Sequence, residues 1–171
     1  MPHIIKRETL FDSPWVKFLA KTVDTDPNPY YCAQPSGYVS MIAFTQAGDV
    51  ILVEQYRPAV EEVVLELPAG TIETGEDAAD CALRELLEET GYRAEVAEPL
   101  GWLYPDVGRL TNRIWGFVIR DAVLDPTYTP EAEITTHLMH PDEFTKLIAS
   151  GAFKQALHVA FWGMLLARGG M

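Results

Sequence analysis

The stretch Gly70–Tyr92, reading GTIETGEDAADCALRELLEETGY, restricts this chain more than any other. A glycine-punctuated loop leads into an apolar-periodic segment that begins after Gly75 and stops at Gly91, which predicts a helix closed by a glycine C-cap. Thr74 with Asp77 resembles a capping box at its start. At 3.6 residues per turn, Ala79, Leu83, Leu86, Leu87 and Thr90 make a core-facing stripe. Glu85, Glu88 and Glu89 fall on the opposite side, with the small residues Ala78, Cys81 and Ala82 above them leaving room for a substrate or a metal. These carboxylates lie at i, i+3 and i+4, where like charges repel by roughly 0.2–0.5 kcal/mol per pair. They also sit in the last turn, where the helix dipole disfavours anions by about 0.3–1 kcal/mol each. Local physics opposes the arrangement, which marks a functional place, and a divalent cation with oxygen ligands would relieve it. The plainer alternative is a solvated acidic face. Arg84 and Glu76 carry opposite charge and can pair if the loop folds back over the helix.

Composition narrows the function classes. A chain of 171 residues, 48% hydrophobic, can bury one good core and a small appendage, but not two full domains. A formal charge of −12 argues against a nucleic-acid partner, which needs a basic surface. Two cysteines, Cys32 and Cys81, make neither a disulfide framework nor a zinc cluster. Cys81, inside the helix, reads as a packing residue. The N-terminal residues lack the apolar region of a signal peptide. No run of about 18 apolar residues is present, and the best candidate, 156–167, is interrupted by His158. The expectation is a soluble cytoplasmic protein with no membrane partner.

Residues 1–36 read as a strand-rich appendage and 37–171 as the main domain. In the appendage, 15–23 and 30–33 have strand composition around turn chemistry at 24–29. From Gly37 the strands 38–44 and 49–55 flank Gln46-Ala47-Gly48 as a hairpin, and 63–67 is a further short strand. After the helix, 93–96 and 100–104 can extend the sheet, followed by a loop over 105–111 and a strand over 113–120. A proline-containing loop over 121–130 leads into 131–139, which then alternates as a strand. Pro141 starts a short helix. The segment 154–168 forms a second helix, with Ala156, Val159, Ala160, Gly163, Met164 and Ala167 near one face.

Gly70, five residues, Glu76, seven residues and then Arg84-Glu85-Leu86-Leu87-Glu88-Glu89-Thr90-Gly91-Tyr92 match every defined position of the signature box of the Nudix hydrolases. Gln55-Tyr56-Arg57-Pro58 and Glu66-Leu67-Pro68-Ala69-Gly70 further resemble the ADP-ribose pyrophosphatase branch of that family. The resemblance implies an α/β/α sandwich with a mixed sheet. It also implies an enzyme dependent on Mg²⁺ or Mn²⁺ that hydrolyses the diphosphate of a nucleoside diphosphate sugar, foremost ADP-ribose to AMP and ribose 5-phosphate. By position, Glu85, Glu88, Glu89 and the Ala69 carbonyl would be metal ligands. Arg84 and Glu76 would form the structural ion pair, with Gly70 and Gly91 as structural box glycines. Arg57 would hold the substrate phosphates or ribose, a task suited to a planar guanidinium, and Arg109 could reach the phosphates. Trp15 and Tyr31 would sandwich the base across a homodimer built by the N-terminal appendage. A carboxylate in the loop before the last strand would be the general base: Glu133, with Glu131 as the alternative, or a box glutamate such as Glu88. His137 and His140 read as structural.

One departure from the branch concerns substrate choice. The branch usually carries a proline beyond the box, where this chain has Val107, its proline coming earlier at Pro105. GDP-mannose, another nucleotide sugar or a dinucleoside polyphosphate is the alternative substrate, and a nucleotide-sensing module without catalysis is the alternative class.

Overall fold

The computed structural model describes residues 1–129 and 133–170. The chain divides into two compact units, Met1–Gly37 with Leu103–Ile114, and Tyr38–Trp102 with Trp115–Met171.

The first unit holds an antiparallel sheet of β1 (Ile4–Asp12), β2 (Val16–Val23) and β3 (Asp26–Pro35), in that order. β1, which the composition does not predict, is exposed along its whole length and so lacks the alternation that marks a half-buried strand. The turn between β2 and β3 is shorter than expected. Asp26, Pro27 and Pro29 belong to β3 itself, an edge strand where a missing N–H is tolerated.

In the second unit, β4 (Tyr38–Thr45) and β5 (Val50–Arg57) pair antiparallel. β6 (Glu62–Glu66) returns along β5, and β7 (Ala69–Thr71) pairs with β4, placing Ala69 opposite Ser40 and Gly70 opposite Val39. Helix α1 (Ala78–Thr90) follows, then β8 (Tyr92–Arg93), β9 (Ala97–Leu103), β10 (Ile114–Leu124), β11 (Thr135–Met139), α2 (Pro141–Ala149) and α3 (Ala156–Ala167). The mixed sheet runs β11-β5-β4-β10-β8, with β6 on β5, β7 on β4 and β9 on β10.

Burial on both faces explains why β4 is apolar almost throughout. Val39, Met41 and Ala43 pack with Ile51, Phe117 and Ile119 against Cys81, Ala82 and Leu86 of α1. On the other face Phe44 meets Trp162 of α3 at 6.3 Å, and Phe144 of α2 meets the same Trp162 ring edge-on at 4.8 Å. The helices thus cover both sides of the sheet, in the expected α/β/α sandwich.

Several local expectations are corrected. The α1 cap is Asp77, whose carboxylate accepts from Ala79 N–H at 2.8 Å, and not Thr74. The two strands expected over 93–96 and 100–104 are both shifted: β8 ends at Arg93, and β9 runs from Ala97 to Leu103. β10 runs on past Arg120 to Leu124, carried through Asp121 at φ 54°, so the loop begins later. β11 begins at Thr135, beyond Glu133. In α3 the buried residues are His158, Phe161, Trp162 and Leu165, while Ala160, Gly163 and Ala167 are exposed. The large side chains carry more apolar area to the sheet than the small ones, and they set the helix rotation. Among the described residues no helix is long and apolar enough to cross a membrane.

Candidate functional site

Gly91 and Arg84 fix the two ends of the candidate site. Gly91 sits in the left-handed region at φ 75°, and its N–H closes α1 on Leu87 O at 2.8 Å. A Cβ there would also stand 2.1 Å from the Tyr128 ring, so both conformation and space require glycine. Asp125 N–H donates to Gly91 O and Tyr128 O–H to Glu88 O, each at 2.8 Å, which ties the segment after β10 to the end of the helix.

At the other end, Arg84 grips the preceding loop. Its Nε and Nη2 donate to the two Glu76 carboxylate oxygens at 2.8 and 3.0 Å, and Nη2 reaches Thr71 O at 3.3 Å. These bonds, with a further one from Glu73 N–H, hold the Glu76 carboxyl down at about 2. Nη1 donates at 2.8 Å to both Glu85 and Glu88. One guanidinium therefore organises the loop and two of the three helix carboxylates, as its fork of donors allows.

Glu85 and Glu89 lie against β7. A Cβ on Gly70 would stand 1.8 Å from the Glu85 carboxyl carbon, so the glycine is what admits that side chain. Glu89 is 9% exposed and accepts from Ala69 N–H at 2.9 Å. Burial, opposed by that hydrogen bond, pushes its carboxyl up to about 7, and burial likewise raises Glu85. Glu88 is the exposed member of the three. This places the acidic side beside the core stripe and not opposite it, because Glu89 continues the line of Ala82 and Leu86. Cys81 and Ala82 are buried in the core with Ala78 packed on them, so they leave no approach for a ligand.

Arg57 is brought to the same neighbourhood by the β5–β6 hairpin. Its Nε and Nη2 bind Glu66, the shortest contact being 2.5 Å, and Glu66 is 5% exposed. The pair borders a cavity of about 260 Å³ walled also by Tyr38, Ala69, Gly70 and His158. Burial, then the charge of Glu66, raises the Tyr38 hydroxyl to about 12. Sequence reasoning did not single out Glu66, Tyr38 or His158 as site residues. The available signal was a charged residue closing an apolar strand and a lone histidine inside an apolar helix.

In the first unit, Tyr31 and Arg109 line one groove of about 630 Å³ with Phe18, Tyr30 and Leu110. Arg109 donates to the Tyr30 hydroxyl at 3.1 Å and lies 5.6 Å over its ring, while Tyr30 O–H donates to Gly108 O. Trp15, 81% exposed, does not line that groove. Glu133 is exposed in the turn before β11. Glu131 lies outside the described residues. His140 caps α2 through Asp142 N–H. His137 Nε2 stands 2.7 Å from Glu54, close enough for an ion pair though poorly aligned as a hydrogen bond.

The donors around Ala69 suit a hard divalent cation, being carboxylates and a backbone carbonyl. Two of the carboxyls, Glu85 and Glu89, are held above their ordinary range by burial and by neighbouring acids, a tension that a bound cation relieves. Among the described residues no three such side chains are already closed around a common point. A cation that keeps several waters does not require such a cage.

Comparison with known proteins gives a consistent picture. The NUDIX domain family is matched over residues 36–158. The chain is 41% identical over 103 residues to the methanol dehydrogenase activator of Bacillus methanolicus, covering 58% of this chain and 54% of that protein. It is 42% identical over 72 residues to the ADP-ribose pyrophosphatase of Bacillus subtilis (strain 168), covering 42% and 39%. With the ADP-sugar pyrophosphatase of Mus musculus the identity is 37% over 130 residues, covering 66% and 59%. The chain therefore spans between 39% and 59% of the lengths of these relatives. A crystal structure described as an ADP compounds hydrolase superposes with a TM-score of 0.81 at 21% identity, over 99% of this chain and 97% of that one, a likeness of fold.

Proposed function

The chain belongs to the NUDIX family, and from that premise we propose that it hydrolyses the diphosphate of a nucleoside diphosphate sugar, foremost ADP-ribose to AMP and ribose 5-phosphate. The observation that carries the reading is the packing of Glu85 and Glu89 against Ala69-Gly70, with Arg84 gripping both the loop and the helix. Relatives named ADP-ribose pyrophosphatase and ADP-sugar pyrophosphatase support the substrate class.

Glu85, Glu88, Glu89 and the Ala69 carbonyl would hold Mg²⁺ or Mn²⁺, which when bound neutralises charge on the diphosphate oxygens. The chain's own part is positional. Ala69 N–H orients Glu89, Gly70 admits Glu85, and Arg84 with Glu76 keeps the loop over the helix. Glu133 takes the proton of the attacking water as its oxygen bonds to one phosphorus and the bridging P–O bond breaks. Arg57, Arg109, Trp15 and Tyr31 would bind the remainder of the substrate, the two aromatic rings stacking on the base. The first unit would build a homodimer in the cytoplasm, supported by its exposed Ile5, Leu10 and Phe11.

The test is product release from ADP-ribose with and without Mg²⁺, run beside GDP-mannose, a diadenosine polyphosphate and a nucleoside triphosphate. Metal-dependent AMP and ribose 5-phosphate are expected from ADP-ribose. Turnover of another compound alone would move the substrate and keep the chemistry, whereas tight binding without any product would replace the enzyme with a sensor.

A further inference from the structure

The last turn of α1 ends on a tertiary contact that the reaction as described does not use. Gly91 N–H closes the helix on Leu87 O, but the next donor in line, Tyr92 N–H, goes to Thr90 Oγ1 at 3.1 Å and not back to Glu88 O. A carbonyl left over at a helix end needs a donor from elsewhere. Tyr128 supplies it: its O–H donates to Glu88 O at 2.8 Å, while its ring covers Gly91 where a Cβ would stand.

The choice of donor fits the chemistry of the turn. A basic side chain often serves here, because it also answers the negative end of the helix dipole. The last turn of α1 has none. A lysine or arginine in place of Tyr128 would add a second cation to that of Arg84 beside Glu85, Glu88 and Glu89, in competition with a metal for the same oxygens. A phenol donates without bringing a charge.

Tyr128 belongs to a small docked turn. Asp125 N–H donates to Gly91 O at 2.8 Å, and Tyr128 N–H returns to Asp125 O at 3.1 Å. The Asp125 carboxylate accepts from Thr127 N–H and Oγ1–H at 2.8 and 2.7 Å. Backbone and ring of 125–128 therefore both lie on the end of α1. Glu133 follows this turn and precedes Thr135, the first residue of β11, which pairs with Glu54. The stretch that carries Glu133 is thus strung between the helix turn bearing Glu88 and Glu89 and the β5–β11 ladder. Docking of 125–128 shortens the stretch between fixed points from 125–134 to 129–134, and a shorter span admits fewer positions for Glu133.

We propose that Tyr128 is a positioning residue for the hydrolysis. By bonding Glu88 O it fixes the segment leading to Glu133 onto the same helix turn that presents Glu88 and Glu89, so that the base and the metal-binding carboxylates share one frame. The inference rests on the reading of the chain as a hydrolase with Glu133 as its base.

Tyr128→Phe keeps the ring on Gly91 and removes only the hydroxyl. At saturating ADP-ribose and Mg²⁺ it should lower kcat about 3–10-fold, the effect of one hydrogen bond, with KM and the half-saturating Mg²⁺ concentration within about twofold of wild type. The same change in a Glu133→Gln background should leave the residual rate unaltered, because two residues that act through one group are not additive. An equal drop in both backgrounds would overturn the proposal, since Tyr128 would then act through Glu88 or the helix alone. So would an undiminished kcat in the single variant. A fully active Glu133→Gln refutes the base and, with it, the role of Tyr128. Amide hydrogen exchange at Asp125, Thr127 and Tyr128 reads the docking without any turnover, and should quicken about 3–10-fold in Tyr128→Phe. Unchanged exchange overturns the proposal whatever the rates. If the wild-type chain forms no product, quickened exchange refutes the hydrolase and the role built on it while keeping the docking, and unchanged exchange refutes all three.

Discussion

Replacing Gly70 by alanine should separate the fold from the chemistry. Gly70 lies in β7 opposite Val39 and is not among the positive-φ glycines, so the backbone accepts a side chain. The new Cβ would fall 1.8 Å from the Glu85 carboxyl carbon and 2.1 and 2.2 Å from its oxygens. No such contact survives, and the flexible Glu85 side chain, not the strand, is what yields. The lost Arg84–Glu85 pair is partly exposed and is worth about 0.2–1 kcal/mol. Lower entropy of the unfolded chain offsets it by about 0.4–1 kcal/mol. Net stability should stay within about 1 kcal/mol of wild type, a Tm shift of about 2–4 °C. Turnover should fall by about 10²-fold, the usual effect of moving a catalytic group by an ångström. Thermal unfolding followed by circular dichroism and initial rates of AMP release at saturating Mg²⁺ measure both quantities. Undiminished turnover would show that Glu85 is not needed over Gly70. A Tm loss above about 8 °C would show that the strand requires glycine, contrary to the reasoning.

Other parts of the account can be tested in the same way. Glu133→Gln should lower kcat by about 10²–10⁴-fold with little change in metal affinity, and an unaffected kcat would move the base elsewhere. Gly91→Ala meets both the positive φ and the Tyr128 ring, and should destabilise by about 1–3 kcal/mol in urea unfolding; a neutral result would mean that Tyr128 is not seated there. His158 links stability to pH. Its folded pKa, about 3, lies below its unfolded value of roughly 6.5, so the unfolded chain binds the extra proton between them and stability drops as pH falls through that window. The urea midpoint of His158→Asn should fall less steeply between pH 6.5 and 4, and parallel slopes would contradict a buried neutral ring.

Much of the main unit was legible because each feature rested on a local pattern. Gly91 announced the end of α1, the apolar runs of β4 and β5 announced buried strands, and the repulsion among Glu85, Glu88 and Glu89 pointed to the candidate site. What was hidden depended on packing between distant elements. The rotation of α3 followed the volumes of Phe161 and Trp162 filling space over the sheet, which spacing of small residues does not reveal. Cys81 and Ala82 entered the core because α1 turns Glu89 toward Ala69, a tertiary contact. Glu66 and His158 gained significance only once the hairpin and α3 brought them to one cavity. β1 escaped notice because neither of its faces is buried, so no periodicity was imposed on it.

The most direct test of the central claim is AMP release from ADP-ribose by the wild-type chain and by Glu89→Gln across a Mg²⁺ titration. Glutamine keeps an oxygen for Ala69 N–H and removes only a buried charge, so the fold should survive. The account predicts metal-dependent AMP formation by the wild type and essentially none by the variant at any Mg²⁺ concentration. Equal rates for the two proteins at saturating Mg²⁺, or AMP formed as fast without metal, would contradict it.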